Sequence, residues 1–186
     1  MPTKLPPALP KLRDLSKMTK KAARIAICKD VLQQLRLKRI NPGLSYVSYV
    51  PAPWSWTDAK QDARDGMAFA CESGCMTCAL GSMMISHVRL FDNFTKGQFF
   101  RLEQNDCLDC LGQYFDEDQL LDIESAYMLW DRNEHMETLA AYRFGRSIAP
   151  AKVDGKSKRL RAIMMNIIKN DGTFKPRLGL KKVAAK

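Results

Sequence analysis

Five cysteines, Cys71, Cys75, Cys78, Cys107 and Cys110, are the residues whose type and spacing point most directly to chemistry. Cys75 and Cys78 form one C-x-x-C pair, and Cys107 and Cys110 form a second. Thiolates are soft ligands, and four of them satisfy a tetrahedral zinc ion. The 71/75/78 trio also has the C-x-x-x-C-x-x-C spacing by which radical enzymes hold an iron–sulfur cluster. Such enzymes are built on repeated strand–helix units, and this chain shows no such series of strands. A plainer reading competes. Cys71, Cys75 and Cys78 stand at i, i+4 and i+7, which is one face of a helix running from about Cys75 to Phe91 and its approach. Met67, Ser82 and Ile85 fall on the same face, and Cys107, Cys110, Leu111 and Tyr114 make a similar short stripe. Cysteine is a small hydrophobe and is commonly buried. The run of Cys78 into Ala79 and Leu80 favours thiols packed between helices, with zinc as the alternative and a disulfide third. Cys28, the sixth cysteine, lies beside an apolar stripe and is expected in the core.

The other reactive residue types do not assemble into a site. His87 adjoins Met83, Met84 and Ile85 and is expected to pack. His135 has Glu134 and Glu137 near it but no second histidine, so no H-E-x-x-H pattern exists. There is no phosphate-binding glycine loop, dinucleotide fingerprint or nucleophile elbow. The acids Asp116, Glu117, Asp118, Asp122 and Glu124 read as solvated carboxylates on a helix. The chain is therefore read as a non-enzymatic protein, with an enzyme of unknown class ranked last.

Charge is the second strong signal. The net charge is +10 over 186 residues. Residues 1–40 carry eleven Lys and Arg against Asp14 and Asp30, a net of +9. Residues 143–186 carry thirteen against Asp154 and Asp171, a net of +11, while residues 41–142 carry six basic and sixteen acidic side chains, a net of −10. Basic ends of this kind seek phosphate or an acidic protein surface. They also suit pairing with the chain's own acidic middle. The candidate partner-binding set is Lys17, Lys20, Lys21, Arg24, Lys38, Arg39, Lys156, Lys158, Arg159 and Arg161. No aromatic residues interleave with these cations, which argues against a single-strand stacking platform.

The elements that must position these groups are mostly helical. Pro2, Pro6, Pro7 and Pro10 make residues 1–16 an extended arm. A helix follows Ser16 or Thr19, with an inward stripe of Ala23, Ile27, Val31 and Leu35, and Asn41-Pro42-Gly43 stops it. Residues 44–50 have β-type composition, and Trp54 and Trp56 follow in a loop as expected core covers. Thr57-Asp58 caps a helix to about Ala70. Asp106 caps a short turn to Tyr114, and Asp116 caps a helix whose Leu120, Ile123, Tyr127 and Trp130 face inward. A further helix is expected over 133–143, then a loop over 145–157 containing Gly145. Ser157 is expected to cap a last helix with the stripe Leu160, Ile163, Met164, Ile167 and Ile168, closed by Asp171-Gly172. The expected fold is mainly α: one helical domain of about six helices over 17–174, at most a short strand near 44–50, and a basic tail over 175–186. No apolar run of about 18 residues is present and the first residues lack a signal-type apolar region, so the reading is cytoplasmic with no membrane partner.

Residues 24–35 (RIAICKDVLQQL), 75–82 (CMTCALGS) and 161–174 (RAIMMNIIKNDGTF), with Tyr114-Phe115 and 119–127 (QLLDIESAY), resemble small helical proteins encoded by bacteriophages and prophages. The resemblance implies a mobile-element origin and a core helix at C-x-x-C-A-L-G, and it brings no catalytic residue or cofactor. Cys71, Cys107 and Cys110 match no motif of that group. The resulting expectation is a non-enzymatic binder of a host protein or ribonucleoprotein complex, including inhibition of a nucleic-acid-processing or defence system. A metal-stapled nucleic-acid-binding protein, with zinc or an iron–sulfur cluster on the five clustered cysteines, is the alternative.

Overall fold

A threonine hydroxyl sets where the first helix begins. Thr19 keeps an extended backbone and its Oγ1 accepts the Ala22 N–H at 3.2 Å, which satisfies one of the free amides of the first turn. Helix α1 then runs Lys20–Arg36. It ends where Lys38 turns left-handed at φ 56° and the Arg39 N–H returns to the Gln34 carbonyl at 3.0 Å. These details come from a computed structural model that describes residues 11–44, 75–91, 104–129, 136–150 and 155–176.

The described residues form six α-helices and one two-stranded parallel ladder, with a short 3-10 turn at Leu15–Lys17 before α1. The remaining helices are α2 (Ala79–Phe91), α3 (Gln104–Leu111), α4 (Glu117–Met128), α5 (Met136–Ile148) and α6 (Gly155–Lys169). The mainly helical expectation is met. The expected strand near 44–50, the helix from Thr57 and the two loop tryptophans lie outside the described residues.

Helix α2 is the axis of the core. All 13 of its residues are buried, and it packs on α1, α3 and α4. A helix enclosed on every side is ordinarily apolar all round, yet α2 carries Ser82, Ser86, His87 and Arg89. The Arg89 Nε donates to Asp30 Oδ2 at 3.2 Å, and Asp30 Oδ1 accepts Gln34 Nε2 at 3.1 Å. His87 packs between the rings of Phe91 and Tyr114, each 5.5 Å away, as its apolar neighbours suggested.

Four local expectations need correction. The helix expected from Cys75 begins at Ala79, because Cys75–Thr77 forms strand β2 and pairs in parallel with strand β1, Ile40–Pro42. Ile40 lies opposite Cys75 and Pro42 opposite Thr77. The Tyr127 hydroxyl pins this ladder by donating to the Gly43 carbonyl at 2.8 Å. Gly145, expected in a loop, lies inside α5: a Cβ there would run into the Ala126 carbonyl oxygen, so its bare backbone lets α5 close on α4. Helix α6 starts at Gly155, which places Ser157 in its first turn and not at its cap. Helix α3 starts at Gln104, so Asp106, expected as a cap, lies in its first turn.

The inward stripe and the closure of the last helix are as expected. Leu160, Ile163, Met164 and Ile167 are fully buried, each worth about 1.5–3 kcal/mol of burial relative to exposure. Asp171 turns left-handed at φ 59° and Gly172 follows at φ 85°, with the Gly172 N–H returning to the Ile167 carbonyl at 2.8 Å. No described helix is long and apolar enough to cross a membrane.

Candidate nucleic-acid interface and cysteine cluster

Helices α1 and α6 pack side by side, with the start of α1 against the end of α6. Lys21 Nζ meets Asp171 Oδ1 at 3.0 Å. Arg24 Nη1 donates to the Gly172 carbonyl at 3.3 Å, and its guanidinium lies 5.4 Å from the centre of the Phe115 ring. Asp30, the single acid in these two helices, is 7% exposed and held by Arg89. The solvent faces of α1 and α6 therefore carry positive charge alone. Lys20, Lys29 and Arg36 are exposed on α1, and Lys158, Arg161 and Lys169 are exposed on α6.

The predicted site residues divide accordingly. Lys20, Lys158 and Arg161 are exposed, and Lys156 is half-buried. Lys38 is exposed just beyond α1, and Arg39 is half-buried. Lys17 pairs with Asp14 at 3.2 Å on the surface, and Lys21 and Arg24 are engaged in joining α1 to the segment after α6. Arg159 is a correction: it is 2% exposed and cannot reach a partner. Its Nε donates to the Tyr127 carbonyl at 2.7 Å and its Nη1 to those of Ala149 and Pro150, both at 3.1 Å. The fork thus closes the carboxyl ends of α4 and α5, where helix dipoles are negative. Burial lowers its pKa, and the neighbouring Tyr127 opposes that shift.

Lys29, Arg36 and Lys169 belong to the face but fell outside the predicted set. Their signal was spacing, since Lys29 and Arg36 are seven apart and Lys158, Arg161 and Lys169 share a helical stripe. The three ion pairs among the described residues are Lys17–Asp14, Lys21–Asp171 and Arg89–Asp30. None of them joins a basic residue of either end to an acid of residues 41–142. Asp109, Asp116 and Glu117 instead rim a separate groove of about 530 Å³ between α3 and α4, floored by Leu108 and Phe115.

Cys78 stands at the junction of β2 and α2 and is fully buried. Its Sγ accepts the Gly81 N–H at 3.5 Å. Cys28 and Cys107 are also fully buried, Cys110 is half-buried, and all four are free thiols. Because β2 breaks the helix, Cys75 and Cys78 share no helical face, so the expected i, i+4, i+7 seam does not form. Cys71 and the side chain of Cys75 lie outside the described residues. Burial pushes the Cys78 and Cys110 thiols up to about 12. Burial also raises Cys107, with Cys78 and Glu124 adding to the effect. Among the described residues, no three His, Cys, Asp or Glu side chains gather to hold a metal ion.

Comparison with known proteins finds no matching family model, curated protein or solved structure.

Proposed function

We propose that this chain is a non-enzymatic binding protein that docks on a polyanionic macromolecule through the joined faces of α1 and α6. One observation carries the reading. These helices, 17 and 15 residues long, hold a single acid between them, and it is buried in an ion pair. Exposed faces of most helices mix both signs of charge, since opposite charges at i, i+4 stabilise a helix. A face without acids forgoes that stabilisation and presents an attractive field to a polyanion. With the phage-type resemblance, the target is a host complex that processes or guards nucleic acid. The triple variant Lys29→Glu, Arg36→Glu, Arg161→Glu is expected to lose binding to heparin at low salt while keeping its helical circular dichroism. Unchanged affinity in the folded variant sinks the reading.

A metal-stapled form of the same binder is a second reading, supported by the packing of α2, which Cys78 directly precedes, on α3, which carries Cys107 and Cys110. Here zinc would lie on cysteines drawn from 71, 75, 78, 107 and 110. Elemental analysis of purified protein tests it: below about half an equivalent of zinc or iron, no constitutive site exists.

A further inference from the structure

We infer, resting on the polyanion reading above, that the partner is duplex nucleic acid gripped through its phosphates without reading of bases. The composition of the face separates this from an acidic protein partner. Five of the seven exposed cations on α1 and α6, Lys20, Lys21, Lys29, Lys158 and Lys169, are lysines, beside Arg36 and Arg161. Lysine is depleted where proteins bind proteins, and the anchors of such interfaces are Trp, Tyr and Arg packed in pockets. Neither helix contains Phe, Tyr or Trp. The same lack removes the stacking surface that single strands require.

Charge density also suits a duplex. Lys29 and Arg36 share one side of α1, with Lys20 half a turn away, and Lys158, Arg161 and Lys169 share one side of α6. Over a given length a duplex carries about twice the phosphate charge of one of its strands. Lys158 and Lys169 are separated by about 16 Å of helix at 1.5 Å per residue. Over that length a duplex carries roughly ten phosphate charges. Base edges are read by amides as well as by cations. The Asn166 amide of α6 is engaged with the backbone of Lys175, and Gln34 of α1 is buried on Asp30. Contacts confined to phosphate position a protein but carry no sequence information.

The test is fluorescence anisotropy of the full chain with short labelled DNA duplexes of two unrelated sequences, the matching single strands, and polyglutamate. Six neutralised phosphates give a slope of log K against log salt of about −5, a loss near 10³-fold between 50 and 200 mM salt. Both duplexes are expected to bind alike and more tightly than single strand or polyglutamate. The variant Lys158→Ala, Arg161→Ala, Lys169→Ala is expected to halve the slope, and Lys20→Ala, Lys29→Ala, Arg36→Ala serves the same purpose should the first not fold. Single strand or polyglutamate bound as tightly as duplex overturns the duplex partner while leaving the polyanion reading intact, as does a tenfold preference between the two duplex sequences. No binding to any polyanion at 50 mM salt, or an unchanged slope in folded variants, overturns both.

Discussion

Replacing Arg159 with Met separates stability from binding at a single position of the basic helix. The change keeps an unbranched side chain in the same space and removes the fork that serves three carbonyls. A hydrogen bond from a charged donor contributes roughly 1.5–3 kcal/mol, and an orphaned buried acceptor costs about 1–3 kcal/mol. The 2.7 Å bond to Tyr127 is the strongest of the three, and the bonds to Ala149 and Pro150 share one nitrogen. Counting about 2 kcal/mol for the first and about 1 kcal/mol for each of the others gives a loss near 4 kcal/mol. That falls in the 3–5 kcal/mol range for breaking a buried charged network. In a chain of this size it corresponds to a fall in Tm of roughly 8–16 °C, at about 2–4 °C per kcal/mol. Urea unfolding followed by circular dichroism measures it, with the slope m showing whether the two-state treatment holds. Polyanion affinity of the folded variant is expected to stay unchanged, whereas Arg161→Ala, two positions on, is expected to weaken binding with little effect on Tm. A loss below about 1 kcal/mol for Arg159→Met, or a loss of binding in its folded form, refutes the assignment of Arg159 as the brace for the ends of α4 and α5.

Other perturbations test the packing and the thiols. Gly145→Ala places a methyl against the Ala126 carbonyl and is expected to destabilise by at least the 1–3 kcal/mol typical of overpacking, read from the urea midpoint. Asp30→Asn leaves Arg89 charged and buried beside α1, with an expected loss of about 3–5 kcal/mol that the double variant Asp30→Leu, Arg89→Met largely restores. Burial pushes the Cys78 thiol from its ordinary 9.0 up to about 12, so above pH 9 the unfolded chain releases a proton that the folded chain keeps. Its contribution is fully present below pH 9 and falls by about 1.4 kcal/mol per pH unit above it, toward the folded pKa. Urea midpoints measured between pH 8 and 10.5 are expected to drop, and Cys78→Ala is expected to lessen that slope, with Cys107 and Cys110 keeping the rest.

Local signals carried much of the fold. Thr19 marks the start of α1, the 160/163/164/167 spacing marks the inward face of α6, and Asp171-Gly172 closes it, because each depends on neighbours within a turn. The β1–β2 ladder depends on residues 35 apart in each pairing, and three-residue strands show no alternation to find. Gly145 is ambiguous by nature: a missing Cβ ends one helix and permits close contact in another, and only Ala126 across the interface decides which. Asp30 and Arg159 look like surface charges in the sequence, and only their partners on α2, α4 and beyond α5 reveal that they are interior. The basic face was legible as composition but not as a surface. Its boundary follows from which cations are consumed by Asp14, Asp171 and Gly172.

The contact between Arg24 and Gly172 spans 148 residues of chain, and it has a consequence for synthesis. A growing chain makes α1 early and α6 late, so the two halves of the cationic surface meet only after every helix between them has been made. Contacts of such long range also form late in folding, since the intervening loop must be closed first. On the polyanion proposal, a nascent chain would offer only the cations of α1, and affinity falls steeply with valence. Full attachment would then wait until the fold is complete.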